Sequence, residues 1–175
     1  SHYVPQIVEA VSLAAKDGLT LPLVYNTGGY DEVDTLKLLD GIIDIYMPDI
    51  KFGDNLKAKK YTKSAIYFDM VKAAVKEMYR QVGNIKTNNK GVAYKGLLIR
   101  HLVMPENLSD TDKVLEFIAK ELSTDTVVNL MSQYYPAHKS YTFPELSRRI
   151  NRKEYGEAVE HAEKLGLTNI IESGF

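Results

Sequence analysis

Residues 42–51 read Ile-Ile-Asp-Ile-Tyr-Met-Pro-Asp-Ile-Lys, a strand-like run that passes from apolar to charged. Side chains of a strand alternate between faces, so Ile43, Ile45, Met47, Asp49 and Lys51 share one side, apolar at first and charged at the C-terminal end. In parallel α/β folds ligands bind at that end of the strands. Taken alone, the segment fits equally a buried strand that runs into a polar loop, with Asp49 and Lys51 as an exposed ion pair of little energetic worth. The segments on either side decide between the two.

Upstream, Val4, Ile7, Val8, Val11 and Ala15 recur at helical spacing, and Asp17-Gly18 ends that helix with a residue that tolerates the left-handed conformation. Residues 19–25 are short, apolar and strand-like, with Asn26-Thr27-Gly28-Gly29 as the loop behind them. A short helix carrying Val33, Leu36, Leu38 and Leu39 then stops at Asp40-Gly41. Downstream, residues 54–61 read as a short polar helix and 67–82 as a long one with Phe68, Val71, Val75, Met78 and Tyr79 on its apolar side. Lys57, Lys59 and Lys60 read as a solvated helix face. Residues 83–95, rich in Asn and Lys, read as a solvated, weakly ordered connection. Residues 96–103 are a further strand, after which Ser109 caps a helix, with Asp112 completing a variant capping box and Val114, Phe117, Ile118 and Leu122 lining it. Residues 126–133 form the next strand and 134–144 an aromatic loop; Asn151 caps a helix over 152–165 that Gly166 ends, and 168–172 make one more short strand.

Helix and strand therefore alternate without tandem repeats or low-complexity tracts, which implies parallel strands joined by helical crossovers. The strands are fewer than the eight, over ~250 residues, of a complete barrel. Either the sheet is open, or the chain is part of a larger barrel; helix follows Ser1 with no strand ahead of it, which favours an α/β partial barrel truncated on its N-terminal side. With 175 residues, 45% hydrophobic, the chain fits a single domain, 1–175, with one sizeable core. A net charge of −1 argues against a general nucleic-acid or membrane-surface binder, which needs a cationic face. No apolar run approaches the ~20 residues needed to span a bilayer, and no secretion leader is evident, so the expectation is a cytoplasmic chain. Cysteine is absent, which excludes a disulfide, a thiol nucleophile and any thiolate-held zinc or iron–sulfur cluster in this sequence.

The strand ends can now be compared. Asn26 and Thr27 follow one strand, and Asp49 and Lys51 end the next. In the strand after that, Leu98, Arg100, Leu102 and Met104 share a face, which sets a cation among apolar neighbours. A buried arginine is costly unless it meets an anion, either a ligand or a carboxylate such as Asp49. Asn129, Met131 and Gln133 share a face of the following strand, again polar where core is expected. Polar groups from four strands aimed at one rim suit a small ligand that carries carboxylate and hydroxyl groups. The histidines do not: His101 alternates to the helix side, His161 lies on a solvated helix face, His2 is terminal, and no pair has metal-ligand spacing. Met104, Met131, Tyr134 and Tyr135 read as core and loop packing.

Asp49-Ile50-Lys51 after a strand, Ile-Arg-His-Leu-Val-Met-Pro-Glu-Asn around Arg100 with Ser109-Asp110 behind it, and the Asn-Thr-Gly-Gly-Tyr loop at 26–30 resemble the radical S-adenosylmethionine activating enzymes of pyruvate formate-lyase. The likeness is greater to their uncharacterised relatives, in which Tyr-Asn-Thr-Gly-Gly-Tyr, Leu-Leu-Asp-Gly-Ile-Ile-Asp-Ile-Tyr and Asn-Leu-Met-Ser-Gln-Tyr recur nearly as written here. It runs from about Ser1 to Leu167. The resemblance implies a partial barrel whose first strand is followed by a cysteine-rich loop holding a 4Fe–4S cluster, and a glycine-rich loop after the second strand that binds the methionine amino group of the cofactor. Neither motif is present, so the chain corresponds to the C-terminal two-thirds of that barrel. Without the thiolates it cannot hold the cluster, and alone it should be inert.

For the intact parent the resemblance implies an oxidoreductase that uses the reduced cluster to make a 5′-deoxyadenosyl radical from S-adenosylmethionine, with a glycyl-radical enzyme, another protein or a small molecule as partner. It implies cofactor contacts at Asn26, Thr27, Asp49, Lys51, Arg100 and Gln133, and a monovalent cation held by Thr27, the Met47 carbonyl and Asp49. Asn26 stands where the family has an acid, and the family's histidine on the last barrel strand is not matched by Gln133 or Tyr134; His138 lies too far along the loop. It also implies an exposed strand edge and hence self-association of the chain. Two other classes stay open on the residues alone. One is a metal-independent α/β enzyme acting on a phosphorylated or carboxylated metabolite, with Lys51 and Arg100 as anion clamps and Asp49 as base; Gly28-Gly29 is a weak phosphate loop. The other is a noncatalytic half-barrel acting as a binding module.

Overall fold

In the computed structural model, which describes residues 3–172 and 174, the chain runs α1 (Val4–Lys16), β1 (Val24–Thr27), α2 (Val33–Lys37), β2 (Ile45–Ile50), α3 (Asn55–Thr62), α4 (Tyr67–Val82), β3 (Lys86–Thr87), β4 (Ala93–Leu102), α5 (Thr111–Glu121), β5 (Val127–Met131), α6 (Arg152–Lys164) and β6 (Ile170–Glu172). His2 lies outside the described residues. The sheet has the order β1-β2-β4-β5-β6 with every neighbouring pair parallel, and β3 is added antiparallel to the start of β4. This is the α/β architecture of a partial barrel. No helix among the described residues is long and apolar enough to cross a membrane.

Strand alternation divides the sheet into two unlike faces. Tyr46, Ile50, Leu97, Ile99, Val128 and Leu130 are buried on the side that the helices cover. The Tyr46 hydroxyl donates to Gln81 Oε1 on α4 (2.6 Å), and the Tyr155 hydroxyl on α6 donates to the Leu130 carbonyl (2.9 Å). On α4 the spacing of Val71, Ala74, Val75, Met78 and Val82 gives one stripe, all buried, and each large apolar side chain so buried contributes about 1.5–3 kcal/mol. The opposite face, with Met47, Asp49, Leu98, Arg100, Asn129 and Met131, is only half-buried. The core therefore lies between sheet and helices, and the other face stays open.

Four local readings change. Strand is expected over 19–25, but β1 begins at Val24. Pro22 has no N–H to give, Leu21 is exposed, and the chain meets its neighbour at Leu23, whose carbonyl accepts from the Asp44 and Ile45 N–H groups and whose own N–H donates to Asp44 Oδ2. Residues 83–95 are not a loose connection: β3 and the start of β4 form a hairpin, closed where Asn88 Oδ1 accepts from the backbone of Lys90 and Val92. Gly96, inside β4 rather than at its start, has φ +125°, and a Cβ there would sit 2.5 Å from the Asn84 carbonyl oxygen, so only glycine lets 84–85 cross this closely. At α5, Asp110 takes the N-cap position without capping through its side chain; Asn107 Oδ1 accepts from the Thr111 N–H (2.8 Å) instead, and Ser109 is buried. The Asn151 cap is as expected, a full capping box with Glu154.

Candidate functional site

The register of β2 and β4 sets Asp49 beside Arg100 at the C-terminal end of the sheet, on the open face. The Arg100 Nε donates to Asp49 Oδ1 at 2.7 Å, its Nη2 lies 2.7 Å from the same oxygen, and Nη2 also donates to Asn26 Oδ1 at 2.9 Å. The two side chains are 26% and 19% exposed, so water reaches both ions. Lys51 is freer: its Nζ is 3.9 Å from Asp49 Oδ2 and its side chain is 49% exposed. Its backbone is fixed, because the Lys51 N–H donates to the Tyr67 hydroxyl oxygen (2.9 Å). Tyr67 stacks on Tyr30 and meets Phe52 edge-on. Burial pushes the Tyr67 hydroxyl up to about 12; the Lys51 N–H opposes this and the Asp49 charge adds to it, so Tyr67 is a neutral anchor rather than a base.

A cavity of about 460 Å³ opens at this rim, with Asp49, Lys51 and Arg100 as its polar wall and Met131, Gln133 and Tyr135 opposite. Tyr135 is exposed, and the Arg149 guanidinium lies 4.9 Å over its ring. Tyr134, by contrast, packs as its type suggests, with its hydroxyl donating to the Leu146 carbonyl. The loop between β1 and α2 closes over the end of β2, and Gly29 makes this close approach. At φ +77° a Cβ there would lie 2.4 Å from the Asp49 carbonyl oxygen.

Of the residues singled out from sequence, Asp49, Lys51, Arg100 and Gln133 line this one cavity, and Asn26 joins it through Arg100. Thr27 does not. It alternates away from Asn26, and its Oγ1 donates to Asp31 Oδ2 (2.5 Å) and accepts from the Gly29 N–H (3.2 Å). Among the described residues no group of three or more acidic and histidine side chains could hold a metal ion. Asp31, buried at the end of that loop, Tyr67 and the cavity-lining role of Tyr135 are not legible from spacing.

The histidines and lysines also differ in part. His101 is on the helix side as read, but the His161 Nε2 is buried without a partner among the described residues, in a second cleft of about 390 Å³ between α5 and α6 that Asp112 also lines. Lys57 and Lys60 are not merely solvated: Lys57 Nζ donates to Asp110 Oδ1 (2.8 Å), and Lys60 Nζ to Glu145 Oε1 (2.5 Å). They tie α3 to the loops after β4 and β5.

No protein-family model matches the chain. It is 36% identical over 153 residues to an uncharacterized protein of Methanocaldococcus jannaschii, an alignment that covers 87% of this chain and 41% of that protein. The chain thus spans well under half the length of this relative. In three dimensions it is similar to a crystallised domain of a pyruvate-formate lyase-activating enzyme from Bacteroides vulgatus, with a TM-score of 0.66, 98% of this chain and 92% of that domain covered, at 10% sequence identity. What the chain has in common with that domain is the fold.

Proposed function

We propose that this chain forms the polar wall of the S-adenosylmethionine site in a radical S-adenosylmethionine enzyme of the glycyl-radical-activating kind, corresponding to about the C-terminal two-thirds of its barrel. The observation that carries this reading is the convergence of Asp49, Lys51 and Arg100 on one cavity at the C-terminal rim of parallel strands. The fold likeness to the activating-enzyme domain supports it, and so does the greater length of the archaeal relative.

The donor set suits the cofactor. A cavity of about 460 Å³ is within the range of small-molecule sites, and Lys51 presents an ammonium to a carboxylate while Asp49 presents acceptors to hydroxyl or amino groups. Bound S-adenosylmethionine supplies the sulfonium that such enzymes cleave reductively. The chain's own groups bind and orient: Lys51 holds the amino-acid end, Arg100 fixes the carboxylate of Asp49, and Met131 with Tyr135 walls off water. A 4Fe–4S cluster does not fit this sequence, which has no cysteine, so we assign the cluster to polypeptide outside these 175 residues and regard the chain alone as inactive. The parent acts on a glycyl-radical enzyme, another protein or a small molecule.

Anaerobic treatment with iron and sulfide should leave the purified chain colourless and unable to cleave S-adenosylmethionine. A stable, stoichiometric brown species would show that the ligand assignment is wrong. Titration with S-adenosylmethionine should nonetheless show saturable binding, weakened about tenfold by Lys51→Ala. Absence of saturable binding to the unaltered chain sinks the reading.

The same proposal leaves β1 as an edge that further strands would cover. Val24 is 54% exposed there, and an edge strand with free backbone groups is a template for pairing. Sedimentation should detect association that rises with concentration, with exchange protection of residues 24–27. A monomer at high concentration with those amides unprotected counts against the missing strands.

A further inference from the structure

The loop between β5 and α6 begins in the cavity wall. Tyr134, Tyr135 and Ala137 line the cavity, and the buried Tyr134 and Pro136 fix the loop at that end, as the buried Leu146 and Ile150 do at the other. Between these anchors lies an arch, residues 137–145, of which none is buried. Its own hydrogen bonds are local: the Ser140 N–H and hydroxyl both donate to the Ala137 carbonyl, the Thr142 hydroxyl to that of Lys139, and the Phe143 N–H to that of Ser140. Outward it reaches α3, the helix that follows β2. There Lys60 Nζ and the Tyr61 hydroxyl both donate to Glu145 Oε1 (2.5 and 2.9 Å), Phe143 meets the Tyr61 ring edge-on, and the Lys60 ammonium lies over both rings. Tyr61 stacks in turn on Phe52, next in the chain to Lys51. The arch thus runs from the Tyr135 side of the cavity to the Lys51 side.

We propose that residues 137–145 form a clasp across the cavity with Glu145 as its catch, and that release of Glu145 from Lys60 and Tyr61 opens the cavity to ligand. The kind of contact carries this. A permanent wall is built from buried apolar side chains, as α4 is, whereas the clasp is held by an ion pair whose lysine is 54% exposed and by two half-buried rings. Exposed ion pairs and single edge-to-face contacts each contribute little, so the closed arrangement is favoured by a modest factor only. His138, at the start of the arch, has φ +51°, a left-handed conformation that a side chain adopts at a cost, and Pro136 and Pro144 stiffen the flanks. A strained turn beside a weak catch is where the chain gives. Loops that work in this way close over a bound small molecule to exclude water and open to exchange it. The inference goes beyond the cofactor reading and does not need it, since a clasp serves whatever ligand the cavity takes.

The absence of cysteine allows a direct test. One thiol is introduced by Leu102→Cys, in the cavity wall, and in a separate protein another by Ala119→Cys, half-buried on α5. Labelling by N-ethylmaleimide is timed in each, with Glu145 intact and with Glu145→Ala. The expected result is labelling at position 102 about three- to tenfold faster without the catch and an unchanged rate at 119, with a smaller rise at 102 for Glu145→Gln, which keeps an acceptor but loses the charge. Should Glu145→Ala not fold, Lys60→Met releases the same catch from the other side and is read in its place. Equal rates at 102 in all variants overturn the proposal. So does a thiol at 102 that already labels as fast as in denaturant, because nothing then closes the cavity, and so does an equal rise at both positions, which reports general loosening. No ligand enters the measurement, so its outcome is separate from that of the S-adenosylmethionine titration.

Discussion

Arg100→Ala is expected to weaken S-adenosylmethionine binding about ten- to a hundredfold, the equivalent of one lost charge-assisted hydrogen bond of about 1.5–3 kcal/mol. The loss has two sources, since Arg100 both faces the cavity and holds Asp49 by two contacts of 2.7 Å. The effect on stability should be smaller. Breaking a fully buried ion pair costs about 3–5 kcal/mol, but here both partners are partly solvated, and Asp49 would keep Lys51 within 3.9 Å. A cost of about 1–2 kcal/mol is expected, or a midpoint drop of a few degrees. Asp49→Ala should cost slightly more, because it leaves a guanidinium with only Asn26. The double variant should then cost less than the sum of the two. Affinity and midpoint measured on the same proteins separate the roles. A midpoint drop worth more than about 3 kcal/mol, with unaltered affinity in the folded fraction, would make the pair structural.

What can be read from sequence follows physical lines. Helix α4 and the Asp49 strand are legible because burial imposes a period, and the core lies where both periods point. The polar rim is legible because Asp49, Arg100 and Gln133 interrupt an otherwise apolar alternation. The β3–β4 hairpin is not: Lys86 and Thr87 are exposed and leave no apolar signature, although Asn88 to Gly91 has turn chemistry. The cap of α5 misleads because Ser109 has the right type at the right spacing, yet its hydroxyl is used inside, accepting from the Met104 N–H. The partner of Thr27 is not legible either: its hydroxyl donates to Asp31 Oδ2 within the same loop. Tyr67 acts through a partner brought close by tertiary structure, the Lys51 N–H, and no local pattern records that.

Acidification from pH 6.5 to 4 is expected to cost the fold about 3 kcal/mol through His101 alone. The ring is fully buried between β2 and α5, with Nδ1 2.7 Å from the Ile50 carbonyl oxygen and Nε2 2.9 Å from Thr111 Oγ1. A carbonyl only accepts, so Nδ1 carries the proton and Nε2 takes the Thr111 hydroxyl hydrogen. Ser109 Oγ, 3.1 Å from Thr111 Oγ1, accepts the Met104 N–H and completes a chain with one direction. A second proton on the ring would have to reverse it. Burial accordingly pushes the imidazole down from 6.5 to about 4, with the Ile50 carbonyl opposing. Between these values the unfolded chain binds a proton that the folded one does not, so stability is level above pH 6.5 and falls with decreasing pH by about 1.4 kcal/mol per unit until near pH 4. Glu77, Glu145 and Glu154, held near 2 chiefly by Arg80, Lys60 and Arg148, add their own losses only below about pH 4.5, which leaves the upper part of the window to the histidine. His101→Gln should lower stability at neutral pH and flatten the slope between pH 4.5 and 6.5, as read by denaturant midpoints across that range. A slope that survives the substitution would assign the titration elsewhere. Because Ile50 lies between Asp49 and Lys51, the neutral ring also fixes the strand end that bears the polar wall, so ligand affinity should fall in the same window before the chain unfolds.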